Sequence, residues 1–372
     1  MSIVPGPECK EEKIVFLTCQ SLAPDVIFSN GLNQNVIFLY QLFELVGWKP
    51  YLLVNGPMDS SKLATEMRWI TLDKYIQEPF DVSVLLEIGI NMSKKVRSLF
   101  KMMGARVIKL YLGNTLNIDT EMCIYSPGGD VILHSVGELD MVLTSPHYAS
   151  QLEYLRCVNG LEADQVSVAP YVWEPTFIGE GVGAAPPKDI LIFEPNISFQ
   201  KCCVVPLLIC EKYYLENLSF SGKIHLFNVD KYEDGSNFYR NLLDRLRLWK
   251  DGRIVLHGRC SVKEIMEEYP NSVILCHQTN NEYNYMYLEA FYRGFSLVHN
   301  AESWSSGGFY YEGDDILGGA TALGRALNNS GSVERRRHEN DIIMRHSIFN
   351  TANQEGWLRL LEGEPKILTS RC

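Results

Sequence analysis

Short apolar runs alternate with longer amphipathic stretches through the first half of the chain. The runs of strand length lie at residues 13–19, 51–54, 81–87, 106–112 and 141–145. Continuous apolar runs of this length are typical of parallel strands that are covered on both faces. The stretches between them have helical spacing, as in residues 36–46, so this half predicts an open α/β sheet.

The same alternation restarts after a linker. Residues 179–187 read GEGVGAAPP, a composition that is flexible and then stiff, as expected between domains. Beyond it, apolar runs recur at residues 189–193, 223–227, 253–256 and 272–276. We therefore expect an N-terminal domain at 1–178, a linker at 179–188, a second domain at 189–335 and C-terminal helices at 336–372. Packing of those helices back on the N-terminal domain is one option.

Residues 272–294 form the most informative stretch of the second half. An apolar run is followed by a polar turn at 278–281 and by a helical stretch that ends at Gly294, a residue suited to a left-handed C-cap. We expect the turn to cap the helix and Glu282 to lie in its first turn. Glu282 and Glu289 are seven residues apart, so in one helix they would share a face. This favours a pocket for a phosphate and a polyhydroxy group, with a solvated surface helix as the alternative.

A polar loop, residues 29–35, follows the first predicted strand and precedes the first helix. Asn30 and Gly31 are candidates to contact a ligand at the carboxyl edge of the sheet, or else they are ordinary turn residues. The loop lacks the GxGxxG pattern, so it does not indicate a dinucleotide site.

Composition narrows the class of protein. The 372 residues carry a net charge of −11, which argues against a general nucleic-acid surface. The ten cysteines form no CxxC pair and indicate buried thiols in a reducing compartment rather than a metal site. The first 13 residues lack the apolar core of a signal peptide, and no apolar run reaches the roughly 20 residues of a membrane span. We therefore expect a cytoplasmic protein, and the oligomeric state stays open.

Three segments of the second half resemble the donor domain of the GT-B fold glycosyltransferases, in that family's order. Residues 193–201 lead from a strand through a loop to a lysine, and residues 255–259 (VLHGR) end a second strand. Residues 282–294 (EYNYMYLEAFYRG) are similar to the family's acid-rich E…EAmA.G segment. The N-terminal half resembles the acceptor domain, with residues 29–35 in place of its glycine-rich loop.

A narrower resemblance concerns an uncharacterised bacterial and large-virus family of such enzymes. It rests on residues 171–175 (YVWEP), 192–197 (IFEPNI) and 309–311 (FYY). The chain also departs from the broader pattern. The usual spacing of the retaining enzymes' two glutamates puts the first acid at Asn281 rather than Glu282, and Glu194 and Asn196 occupy the region of a missing arginine. Donor identity and retaining or inverting outcome therefore stay open.

The resemblance implies two Rossmann-like domains that face each other across a cleft and a nucleotide-diphosphate sugar as donor. No cofactor or metal is implied, so the diphosphate charge would be stabilised by Lys201, Arg259 and the helix N-terminus near Asn281. Glu289 would bind the ribose hydroxyls, and Glu282 or Asn281 the sugar hydroxyls. The full donor-binding set implied is Lys201, His257, Arg259, Asn281, Tyr283, Glu289, Asn30 and Gly31.

The catalytic residues are less constrained. Asp25, Glu87, His134 and His147 lie near predicted ligand-edge loops of the N-terminal domain, where an inverting transferase would need a base. Our catalytic candidates are Glu282, Asp25 and His134. The predicted function is metal-independent transfer of a hexose or pentose to a hydroxyl acceptor, presumed to be a glycan in biosynthesis. The alternatives are a nucleotide-sugar epimerase of the same fold and a non-catalytic nucleotide- or sugar-binding protein.

Overall fold

The computed structural model describes residues 12–20, 31–56, 66–88, 90–125, 133–176, 178–179, 181, 186–196, 199–229, 237–328 and 332–363. The chain divides into two compact units. Unit 1 comprises Met1–Val172 and Ile348–Cys372, and unit 2 comprises Trp173–Ser347. The predicted linker, residues 179–188, falls within the sequence range of unit 2. Among the described residues, no helix combines the length and the apolar character needed to span a membrane.

Unit 1 contains a parallel sheet covered by helices. Its strands are β1 (Ile14–Cys19), β2 (Lys49–Val54), β3 (Trp69–Thr71), β4 (Val84–Glu87), β5 (Arg106–Tyr111), β6 (Met141–Thr144) and β7 (Val166–Val168). Its first helices are α1 (Gly31–Leu45), α2 (Leu72–Gln77), α3 (Lys94–Met102), α4 (Thr115–Tyr125) and α5 (Leu152–Asn159). Within the described residues, the seven strands follow the order β3-β2-β1-β4-β5-β6-β7.

The strands of unit 1 form where the sequence is continuously apolar. Every residue of β1, β4 and β6 is buried, as expected for strands with helices on both faces. Phe16 lies at the centre of an aromatic group with Tyr75, Phe80 and Phe100, at ring-centroid distances of 5.0 to 5.9 Å. The open α/β architecture expected for this half is confirmed.

Unit 2 repeats this architecture. Its strands are β8 (Asp189–Ile192), β9 (Ile224–Leu226), β10 (Ile254–Leu256), β11 (Ser272–Leu275), β12 (Ser296–His299) and β13 (Phe309–Tyr310). Its helices are α6 (Val204–Glu216), α7 (Asn237–Leu243), α8 (Arg247–Lys250), α9 (Val262–Glu268), α10 (Tyr285–Arg293), α11 (Ile316–Asn328) and α12 (Val333–His346). In the part of the chain that the structure describes, six parallel strands follow the order β10-β9-β8-β11-β12-β13.

The strand order of unit 2 creates a switch point between β8 and β11. After β8 the chain builds the sheet towards β10, and after β11 it builds towards β13 on the other side. The connections that follow β8 and β11 therefore lead to opposite sides of the sheet. Open α/β sheets bind their ligands at the carboxyl edge of such a switch point.

Two predicted helix starts are wrong. Helix α1 begins at Gly31 rather than near residue 36, because residues 33–35 are buried in its first turns and the Asn35 side chain donates to the Gly31 carbonyl at 2.9 Å. Helix α10 begins at Tyr285, because Asn284 caps it by accepting from the Met286 amide. Glu282 therefore precedes the helix. The predicted end is confirmed, since Gly294 is a left-handed C-cap with φ of 88°.

A last helix, α13 (Thr351–Glu362), belongs to unit 1. Its Trp357 ring is buried edge-on against Phe43 of α1, with centroids 5.5 Å apart, and its indole nitrogen donates to the Pro170 carbonyl at 3.1 Å. The Arg106 side chain donates to the carbonyls of Leu360 and Leu361 at 3.1 and 2.9 Å. The helix is therefore an integral part of the unit that begins the chain.

Candidate functional site

The connection after β8 folds back on itself before α6 begins. Asn196 has a φ of 54°, a left-handed conformation that asparagine tolerates better than most residues. Its backbone amide donates to the Lys201 carbonyl at 3.0 Å, and its side-chain oxygen accepts from the Cys203 backbone amide at 2.8 Å. These bonds hold Lys201 at the start of α6, close to the end of β8.

The connection after β11 is bonded to the connection after β8. The Thr279 amide donates to the Gln200 carbonyl at 2.9 Å. The backbone of Gln278 is fixed from the other side, since its amide donates to Asn300 Oδ1 at 2.9 Å and its carbonyl accepts from Asn300 Nδ2 at 3.0 Å. The two connections at the switch point are thus joined by hydrogen bonds.

Glu194, on the β8 connection, accepts hydrogen bonds from two residues of the β11 connection. Its side chain is 2% exposed, Oε1 accepts from the His277 amide at 3.0 Å, and Oε2 accepts from Gln278 Nε2 at 3.0 Å. Burial raises the pKa of Glu194 to about 7, against the opposing effect of these hydrogen bonds and of Lys201. From the sequence, Glu194 is recognisable only as a residue in the region of a missing arginine, because neither its burial nor its distant partners leave a local signal.

Gln278 continues the hydrogen bonding towards Asn281. Gln278 Oε1 accepts from Asn281 Nδ2 at 2.6 Å, and both side chains are buried. The sequence predicts Gln278 only as a residue of a turn. In the structure, its side chain is hydrogen-bonded to both Glu194 and Asn281.

Lys201 is the predicted cation that lies on the same connection as Glu194. It is half-buried at the end of the β8 connection. Burial lowers the pKa of Lys201, and the charge of Glu194 opposes this effect. A cation and a carboxylate that interact in a desolvated setting are an unusual pair to find at a ligand edge, and they mark this edge as a candidate site.

The two predicted glutamates have different surroundings. Glu289 lies on α10 and is 3% exposed. Glu282 lies before the helix, where Oε2 accepts hydrogen bonds from the amide and the hydroxyl of Ser303. The expectation that both carboxylates share one helix face is therefore wrong, because α10 begins three residues after Glu282.

Tyr283 packs against aromatic side chains of unit 2. Its ring is edge-on to Trp304 at 5.2 Å and to His346 of α12 at 5.7 Å. Trp304 is buried and stacks on His346 at 5.1 Å. These rings join the segment before α10 to the last helix of the unit.

His257 and Arg259 follow β10. His257 Nε2 lies 2.9 Å from His225 Nδ1, and its ring stacks on Phe227 at 4.5 Å. Burial lowers the pKa of both histidines, so one neutral ring donates to the other. Arg259 is exposed. His257 therefore has a structural partner, whereas Arg259 lies at the surface.

His277 also links two connections of the sheet. Its Nδ1 lies 2.9 Å from the Tyr311 hydroxyl, and its Nε2 lies 3.1 Å from Asp314 Oδ1. The Tyr311 hydroxyl donates to the Cys276 carbonyl at 3.2 Å. Burial lowers the pKa of His277, and Asp314 opposes this effect. Tyr311 and Asp314, which follow β13, thus contact the residues that follow β11.

Unit 1 holds the remaining candidates. Asp25 and Asn30 lie outside the described residues, and Gly31 is the exposed first residue of α1. His134 is buried, and its Nδ1 lies 2.9 Å from Asp119 Oδ1. Burial lowers the pKa of His134 against the opposing effect of Asp119.

Glu87, considered as a base, is instead part of a buried ion-pair group. Its carboxylate lies 2.6 Å from Arg97 Nε and 3.4 Å from Lys109 Nζ, and all three side chains are buried. The carboxylate is paired with two buried cations, an arrangement typical of a structural ion-pair group. Within the described residues, no group of three or more His, Cys, Asp or Glu side chains is placed to hold a metal ion.

Comparisons with solved structures show the fold. A glycosyltransferase from Rickettsia africae matches with a TM-score of 0.59 and 12% identity, covering 95% of this chain and 98% of that one. An α-glucosyltransferase in complex with UDP and a 13-mer DNA matches with a TM-score of 0.62 and 10% identity, covering 95% and 100%. A structure from E. coli described as trehalose-6-phosphate bound with UDP-2-fluoro glucose matches with a TM-score of 0.62 and 13% identity, covering 95% and 100%. The two sheets therefore form a fold like that of the GT-B glycosyltransferases.

The sequence comparisons are less specific about activity. No curated protein matches the sequence. One family model, described as "Protein of unknown function (DUF2827)", matches residues 17–361, nearly the whole chain. The chain belongs to this family.

Proposed function

We propose that the protein is a glycosyltransferase that moves a sugar from a nucleotide-diphosphate sugar to a hydroxyl acceptor. The observation that carries the proposal is the group of buried polar side chains at the switch point of unit 2, where Lys201, Asn281 and Glu194 lie on connections that are hydrogen-bonded to each other. The fold supports it, since the similar structures include glycosyltransferases.

We propose a uridine nucleotide as the carrier of the sugar. Two of the similar structures are bound with UDP or with UDP-2-fluoro glucose. In this chain, Lys201 and Arg259 would balance the charge of the diphosphate, helped by the N-terminus of α10 at Asn284. Cations and backbone dipoles of this kind are the basis for proposing a reaction without a metal ion.

Glu289 is proposed to bind the ribose hydroxyls through its two acceptor oxygens. For the sugar hydroxyls we propose Asn281 in preference to Glu282, because one oxygen of Glu282 already accepts two hydrogen bonds from Ser303. His257 and Tyr283 stay in the proposed donor-binding set. A glycan acceptor and a cytoplasmic location stay predictions from the sequence.

Among the residues that the structure describes, His134 is one candidate for a base if the reaction inverts the sugar. Its Nδ1 faces Asp119, which leaves Nε2 as the nitrogen that would accept a proton. Burial keeps the ring neutral near pH 7, the form that a base requires. Replacement by glutamine should abolish an inverting transfer and leave donor binding unchanged.

The test is incubation with a panel of nucleotide sugars and oligosaccharide acceptors, followed by mass spectrometry and proton NMR. Transfer or donor hydrolysis would support the proposal. An isomerised donor would indicate an epimerase, and binding without turnover would indicate a binding protein.

Two variants test the residues. Glu289→Ala and Lys201→Ala should each weaken binding of the active nucleotide sugar at least about tenfold, since each removes a charged hydrogen-bond partner. Lys250→Ala, which changes an exposed lysine at the end of α8, is the control. Unchanged affinity in the first two variants would refute the site assignment.

A further inference from the structure

Three buried side chains form a directed hydrogen-bond chain at the switch point. Glu194 accepts from Gln278, and Gln278 accepts from Asn281. A carboxylate has only acceptors, so Gln278 must turn its NH₂ group towards Glu194. Its oxygen then faces Asn281, which must turn its own NH₂ group towards Gln278. In its ionised form, Glu194 therefore favours one orientation of both amides.

The backbone around this chain is fixed independently of the amides. The reciprocal hydrogen bonds between Gln278 and Asn300 hold the Gln278 backbone. The second oxygen of Glu194 accepts from the His277 amide, a group that can only donate. The amides can therefore change orientation while the backbone stays in place.

We propose that Glu194 is a positioning residue which, through Gln278, holds the Asn281 amide with Oδ1 turned away from Gln278, as an acceptor for a sugar hydroxyl. The sugar contact rests on the proposed function. The amide orientation does not, and it is tested separately. The donor selected would be a sugar that presents a hydroxyl proton at this position.

Glu194→Gln should reverse the chain without breaking it. The introduced glutamine must turn its oxygen to the His277 amide, which leaves its NH₂ group facing Gln278. Gln278 then presents its oxygen to that group and its NH₂ to Asn281. Asn281 must accept, so its NH₂ group takes the position away from Gln278 that Oδ1 holds in the wild type.

The effect of Asn281→Asp on stability reveals whether the amides have reversed. When Glu194 is present, the introduced carboxylate would face the oxygen of Gln278. Both groups are hydrogen-bond acceptors, so neither can donate to the other. In the Glu194→Gln background the carboxylate would face an NH₂ group. We expect Asn281→Asp to raise the unfolding equilibrium constant at least about tenfold alone, and much less when combined with Glu194→Gln.

The coupling between positions 194 and 281 is measured by urea unfolding at pH 8.5, where Glu194 is ionised. The four proteins compared are the wild type, Glu194→Gln, Asn281→Asp and the double variant. Gln278→Leu removes the bridge and should abolish the coupling between positions 194 and 281. Additive effects of Glu194→Gln and Asn281→Asp in the Gln278 background would overturn the proposal.

The sugar contact is tested by the ratio of the dissociation constants for UDP-glucose and UDP. Glu194→Gln should remove most of the preference for UDP-glucose, and adding Asn281→Asp should restore it. A role of Glu194 in fold stability or phosphate charge alone would change both constants equally and would overturn the sugar contact. Coupling in unfolding without binding of either nucleotide would support the amide orientation and refute the proposed uridine nucleotide donor.

Discussion

A glutamate buried at the end of a strand changes how the molecule responds to pH. Glu194 has a pKa of about 7 in the folded chain, whereas a solvated glutamate titrates near 4.3. Between these values the folded chain holds a proton that the unfolded chain has released. The free energy of unfolding therefore falls as pH rises through this window, because burial disfavours the charged form.

The comparison with Glu194→Gln isolates this effect, since glutamine does not titrate. From pH 5 to pH 8, the free energy of unfolding of the wild type should fall by about 1–3 kcal/mol relative to the variant. Urea unfolding at four or five pH values measures the difference. A difference that does not vary with pH would show that Glu194 is ionised throughout the range.

The donor-binding roles of Lys201, Asn281 and Glu289 stay predictions from the sequence. These three residues were predicted because they match positions of a known motif. Glu194 and Gln278 were not, because their roles depend on a contact between residues 84 positions apart in the chain. Such a contact depends on the pairing of β8 with β11, which no local pattern encodes.

At the scale of elements, most strands of the two sheets coincide with the apolar runs, whereas β3, β13 and the helix starts were not predicted. Residues 278–281 have the polar composition of an N-cap, yet the cap of α10 is Asn284. The reason is that Gln278 and Asn281 are committed to the bonds with Glu194 and with each other. Tertiary hydrogen bonds here override a local capping signal.

The cap of α10 leads to a prediction. Asn284→Ala removes the hydrogen bond to the Met286 amide and should cost about 1 kcal/mol in the free energy of unfolding. It should also weaken donor binding, since the amides at the start of α10 lose their fixed orientation. Calorimetric titration with UDP-glucose and urea unfolding measure the two effects.

Ser332→Ala is the matched control for this prediction. Ser332 caps α12 in the same unit by accepting from the Arg335 amide. We expect a similar loss of stability and an unchanged donor affinity. Equal losses of affinity in the two cap variants would mean that α10 has no special relation to the donor.

At the scale of the whole molecule, two Rossmann-like sheets were predictable because most strands are predominantly apolar and alternate with stretches of helical spacing. The extent of unit 1 was harder to define. Helix α13 is short and amphipathic, and its sequence does not say which sheet it covers. The Trp357 contacts with Phe43 and Pro170 decide this, and they join residues separated by most of the chain.

The contribution of α13 can be measured with Trp357→Ala. Loss of a buried tryptophan should destabilise unit 1 by about 3–5 kcal/mol. Hydrogen exchange should become faster in β1 and α1 and stay unchanged in β8 and β11. Leu317→Ala, which truncates an exposed leucine of α11, is the control. Faster exchange in unit 2 alone would contradict the assignment of α13 to unit 1.

The membership of α13 in unit 1 also affects the order of events on the ribosome. Domains generally fold as units and in the order of synthesis. Unit 2 is contiguous, so all of its residues are available once His346 and Ser347 have been made. Unit 1 starts first but waits for a helix that is translated after all of unit 2. During that interval Phe43 lacks its partner Trp357, so the nascent chain carries an uncovered apolar surface that a chaperone would recognise.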